Sequence, residues 1–116
     1  VQTCALPISR AQTQNTKAFV QQWMNMGNGD NGTPLGNSQY TDRSAQVVGT
    51  FGGASVVVEG TNNGTDWATL TDLQGNPLSF TTEKIELVAE ATLQIRPRVV
   101  GGDVSTNLSV YLLVKE

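Results

Sequence analysis

An all-β domain, an antiparallel β-sandwich or jelly roll of about seven to eight short strands, is the fold class that this sequence predicts. Three observations carry it. Apolar and polar residues alternate with a period of two in several stretches, most cleanly in Leu93–Val100 and Asn107–Val114. Glycine- and asparagine-rich turn signals separate these stretches at short intervals. Charged residues make up only 15% of the chain, well below the usual quarter, while glycine alone contributes 12 residues, a composition better suited to strands and tight turns than to long amphipathic helices.

Taken in order, Arg10–Thr16 is polar and aperiodic, a tail or a capping strand. Lys17–Met26 fits a helix stripe (Phe19, Val20, Trp23, Met24) or one strand face (Ala18, Val20, Met24, Met26); the turn signal Gly27-Asn28-Gly29 favours the strand. Gly27–Ser38 reads as a surface loop. Arg43–Phe51 is a half-buried strand with Ala45, Val47, Gly49 and Phe51 on one face. Ala54–Gly60 and Asp66–Asp72 form a hairpin, for which a three-residue loop ending on Gly64 pairs Val58 with Ala68 and Val56 with Leu70. A two-residue Asn63-Gly64 turn would set Val57 opposite Leu70, and one residue of register moves every side chain to the other face. Gln74–Pro77 is a turn before the short strand Leu78–Thr81, and Ile85–Glu90 is an edge strand or a single turn. Pro97 cannot donate to a ladder, which puts Leu93–Val100 at an edge or gives it a bulge. In Asn107–Val114 the inward set is Leu108, Val110, Leu112 and Val114.

The 116 residues suffice for one domain only. Residues 10–116 are assigned to it. Residues 1–9 are set apart: Val1–Ile8, running into Ser9, resemble the in-frame translation of a sequencing-library adaptor rather than a signal peptide, because no basic segment precedes the apolar residues. On that reading the gene comes from shotgun, metagenomic DNA, where viral and bacterial genes dominate.

The sequence has no histidine and its single cysteine is Cys4. Histidine acid/base catalysis, a Cys–His pair, an intramolecular disulfide and a Cys/His zinc site are therefore excluded, and an enzyme is not expected. A net charge of −3 argues against nucleic acid and anionic membranes as partners, and no apolar run approaches the roughly 18 residues of a membrane-spanning helix. Asn28–Gly32 loosely resembles the start of a calcium loop, but no acidic residue follows where a bidentate ligand would close the shell. No metal or cofactor is expected.

What remains are candidate contact residues. Trp67 should point away from the Val56/Val58 face, beside Glu59, where an indole can stack on a sugar ring or a partner protein unless the second sheet or a loop covers it. Arg96 and Arg98 form a small outward basic ladder, expected to pair with Glu83, Glu86 or Glu90 or to grip acidic side chains of a partner. Tyr111 and Leu113 lie opposite the inward set of the last strand, on a face that should be polar if solvated. Their apolar character predicts cover, by another subunit, by a capsid surface, or by the chain's own Gly27–Ser38 loop.

The run Val56–Leu70, with Asp72–Leu78, Ile95–Arg98 and Gly101–Asp103, resembles a group of small virion structural proteins of tailed bacteriophages, the head-decoration or cement-like β-domains. The resemblance covers roughly Arg43 to Lys115. It implies a non-catalytic component of the virion, made in the host cytoplasm and attached to the phage head, with the major capsid protein or another virion protein as partner and with a homo-oligomer as the working form. Glu59-Gly60, Asn63-Gly64 and Trp67 also look like the hairpin of discoidin-type carbohydrate-binding sandwiches, which makes a discoidin-like or tail-associated glycan binder the alternative.

Overall fold

Alternation of apolar and polar residues places the strands in two antiparallel sheets packed face to face. The computed structural model describes residues 18–36 and 41–115. Cys4, the adaptor-like segment and the Arg10–Thr16 tail lie outside the described residues, as does the end of the Gly27–Ser38 loop. The strands are β1 (Ala18–Met26), β2 (Leu35–Gly36), β3 (Asp42–Thr50), β4 (Ser55–Thr61), β5 (Ala68–Thr69), β6 (Ser79–Phe80), β7 (Lys84–Val88), β8 (Gln94–Val100) and β9 (Asn107–Lys115). The first sheet has the order β1-β9-β3-β7; the second runs β2-β8-β4-β5, with β6 also on β4.

The last strand is the axis of the first sheet. It pairs with β1 on one side and with β3 on the other, so both rows of its peptide groups are used. Its predicted inward set is buried in full, with Leu108 and Val114 at 0% exposure and Val110 and Leu112 at 1%. Across the core lie Val56 and Val58 of β4 and Ile95 and Val99 of β8, all buried. This apolar layer between two sheets is the sandwich that the composition and turn spacing predict.

β1 is a strand, but its inward face differs from the expected one. Phe19 lies opposite Val114 and Trp23 opposite Val110; then three steps of β1 run against two of β9, and Met26 arrives opposite Leu108. The extra residue is a bulge, with Asn25 at φ 58°. It reverses the alternation, so Trp23 and Met26 are both buried while Met24 is 50% exposed. A period-two reading carried straight through the strand cannot find this. The buried Trp23 donates its Nε1–H to the carbonyl of Thr33 at 2.9 Å.

The β4–β5 hairpin adopts neither of the two turns considered. Gly60 pairs with Ala68 and Glu59 with Thr69, and the Leu70 amide donates to the carbonyl of Val58 at 2.9 Å. The loop is longer because side chains organise it: Thr61 Oγ1 accepts from the amides of Asn63 and Gly64, and Asn63 Oδ1 from those of Thr65 and Asp66. Relative to the three-residue loop the register slips by two residues, which preserves the faces. Leu70 is therefore buried opposite Val58, while Ala68 sits exposed at the rim.

β7 is an edge strand, paired with β3 alone among the described strands. Pro97 lies within β8 rather than at a free edge, because β4 runs along one side and residues 30–36 along the other. The Gly32 amide donates to the Pro97 carbonyl at 2.8 Å, so the missing N–H of Pro97 falls on the loop side and leaves the β4 ladder intact. A Cβ on Gly32 would sit 2.6 Å from Pro97 Cδ and 2.9 Å from Trp23 Cδ1, which explains the glycine at this crossing.

Candidate functional site

The candidate residues separate onto the two outer faces of the sandwich. Trp67, Arg96 and Arg98 lie on the second sheet; Tyr111 and Leu113 lie on the first. Nothing in their spacing links the two groups, since each alternates with buried residues of its own sheet.

On the second sheet the organising group is Glu59. Pairing of β4 with β8 sets Glu59 opposite Arg96, and Arg98 is one step away on the same face. Arg96 Nε donates to Glu59 Oε1 at 3.2 Å and Arg98 Nε to Oε2 at 2.9 Å. The carboxylate is buried, with its side chain 7% exposed, whereas the arginines retain 21% and 38% exposure. This corrects the expected partners. Glu83 instead accepts the Gly49 amide, Glu86 pairs with Lys84, and Glu90 accepts the Thr71 amide. Glu59 was missed because its proximity to both arginines arises from pairing strands more than thirty residues apart in sequence.

Trp67 follows the segment that carries it out to the same face. The Arg96 guanidinium carbon stands 4.1 Å from the ring centroid, a cation–π stack that covers one side of the half-buried indole. The arrangement is a line of Trp67, Arg96, Glu59 and Arg98 with one net positive charge. It is suited to an acidic or planar partner group. Trp67→Ala is expected to cost about 1–3 kcal/mol, less than the loss of a fully buried ring and more than that of a free one. Urea denaturation gives the stability, and a glycan array run on both proteins shows whether the indole also holds a sugar.

On the first sheet, antiparallel pairing produces two rows across the outer face. One runs Val20, Leu113, Ser44, Leu87; the next runs Gln22, Tyr111, Gln46, Ile85. Ile85 is 60% exposed, Leu87 52% and Leu113 36%, and Leu73 beside them is 61% exposed. An open cleft of about 400 Å³ lies between Leu73, Leu87 and Leu113. The described part of the Gly27–Ser38 loop does not cover this face, because it runs along β8 in the other sheet, with Asn31 bridged to Arg98 and Leu35 paired with Ile95. Ile85, Leu87 and Leu73 were not singled out from the sequence. The available signal was the alternation in Lys84–Val88, where an edge strand turns two branched side chains toward solvent.

Three further polar groups, Arg43 and Asp72 buried and Glu90 half-buried, have structural roles. Arg43 points inward at 2% exposure and donates from Nη2 to the Thr92 carbonyl at 3.0 Å, tying the first sheet to the segment before β8; burial lowers its pKa. Asp72 accepts the amides of Asn76 and Gln74, and the Asn76 amide does most to hold its carboxyl below the usual range. Glu90 is held low first by the Thr71 hydroxyl and then by the Thr71 amide. Among the described residues no group of three or more His, Cys, Asp or Glu side chains is placed to hold a metal ion.

No protein-family model and no curated protein sequence matches the chain. Among solved structures, the crystal structure of the SPBc2 prophage-derived protein YomS is similar, with a TM-score of 0.67 over 97% of this chain and 100% of that one at 11% sequence identity. The two proteins share a fold.

Proposed function

We propose that this protein is a structural component of a phage virion, seated through the outer face of its first sheet on the major capsid protein or another virion protein. The observation that carries the reading is the apolar outer face itself. A solvated antiparallel sheet turns polar residues to water, and this one presents Leu113, Leu87, Ile85 and Leu73 together instead. The shared fold with a prophage-derived protein and the resemblance to head-decoration domains supply the phage context. The alternative, a discoidin-like or tail-associated carbohydrate module, rests on Trp67, one face of which Arg96 already occupies.

The test is the double variant Leu113→Lys with Tyr111→Ser. Both side chains point away from the core, so the variant is expected to fold with a melting temperature within a few degrees of the parent. It should no longer sediment with empty heads assembled from the major capsid protein of the source phage. A parent protein that never sediments with such particles refutes the reading.

A further inference from the structure

We propose that two copies of this chain pair antiparallel along β7, with a two-fold axis through Ile85, to join their first sheets into one. This goes beyond the virion reading and does not depend on it.

β7 is an edge of five residues with alternate peptide groups facing away from β3, and two of its side chains are large, apolar and more than half exposed. An edge on which no further strand lies among the described residues is the usual template for strand addition. The sequence Glu83-Lys84-Ile85-Glu86-Leu87 selects the occupant and the register. Antiparallel pairing about Ile85 sets Lys84 of each copy opposite Glu86 of the other, and Ile85 opposite Ile85. Lys84 and Glu86 already lie on one side of the strand, 3.2 Å apart within the chain. Pairing would therefore complete a ring of four alternating charges. Moving the axis by one residue puts Lys84 against Lys84 or Glu86 against Glu86, both repulsive. Moving it two residues on, to Leu87, recruits Ala89, whose amide is already donated to the Thr71 carbonyl at 2.8 Å. The edge is thus self-complementary in one register, as a two-fold interface requires.

Pairing in this register also brings the two outer faces side by side. The exposed Ile85 of the two copies meet at the seam, Leu87 lies opposite the other copy's Glu83, and the rows that carry Tyr111 and Leu113 continue into those of the second copy.

The experiment measures the mass of the full-length protein by light scattering across a concentration series, for the parent and for charge variants. The parent should dimerise. Lys84→Glu should weaken the dimer by about tenfold or more, because both symmetric attractions become repulsions. Combining Lys84→Glu with Glu86→Lys should restore it, and Ile85→Lys should abolish it. A strictly monomeric parent overturns the proposal and leaves the edge to another occupant. A dimer that ignores Lys84→Glu, or that the charge swap does not restore, overturns the register and with it the proposal. The Leu113→Lys, Tyr111→Ser variant keeps this test separate from the previous one, since it should still dimerise while losing the virion surface.

Discussion

Phe80→Ala is expected to lower the unfolding free energy by about 3–5 kcal/mol, the usual cost of deleting a fully enclosed aromatic side chain. Phe80 has 0% exposure and belongs to a strand of only two residues, paired through Val56 and Val57 of β4. A strand that short gains little from its own ladder. The ring, not the backbone, therefore anchors the crossing from the Asp72–Pro77 turn to β7. Its loss also leaves Lys84, whose Nζ stands 5.8 Å from the ring centroid, without that contact. Denaturant unfolding followed by tryptophan fluorescence measures the effect. A loss below about 1 kcal/mol would mean that the site collapses around the smaller residue and that Phe80 is not the anchor.

Glu59→Ala should be the most damaging change on the outer face of the second sheet, at about 2–4 kcal/mol. Breaking a buried ion pair by removing one partner commonly costs about 3–5 kcal/mol, and the range is reduced here because water reaches Arg96 and Arg98. Their side chains keep 21% and 38% exposure, so each guanidinium can turn partly outward. What the variant cannot remove is the repulsion between two arginines one step apart on the same face. Glu59→Leu combined with Arg96→Met should recover much of the loss, since an apolar pair of similar volume removes the orphaned charge. Thermal unfolding of the three proteins at low and moderate salt checks this; equal stability of Glu59→Ala and the parent would show that the carboxylate does not hold the face together.

Legibility of the fold followed the locality of the forces involved. Alternation in β9 and, from Ile95 onward, in β8 identified the inward residues correctly, because burial on one face of a regular strand is written into every second residue; Leu93, expected on the same side, precedes the strand and is exposed. β1 was read as a strand but with the wrong face, because the bulge after Trp23 changes parity and has no dependable mark in the residues themselves. The β4–β5 register also departed from expectation. Hydrogen bonds accepted by the Thr61 and Asn63 side chains lengthened the loop, and these depend on side-chain rotamers as well as on the Asn-Gly pair that suggested a tighter turn.

The candidate site shows the same division. That Arg96 and Arg98 face outward, and that Tyr111 and Leu113 lie opposite the core side of β9, could be read from alternation alone; the outward direction of Trp67 rested on the hairpin register, whose parity the observed pairing keeps. The sequence by itself also determined the class of the fold and the burial of the last strand. Only the tertiary structure decided that Glu59 gathers both arginines, that Arg96 covers one side of Trp67, and that Leu73, Ile85 and Leu87 join Leu113 in one exposed face. The physical reason is that side-chain direction along a strand is a local property with a period of two. Which strands become neighbours is settled by burying one shared core between two sheets, and that choice is made among segments far apart in the chain.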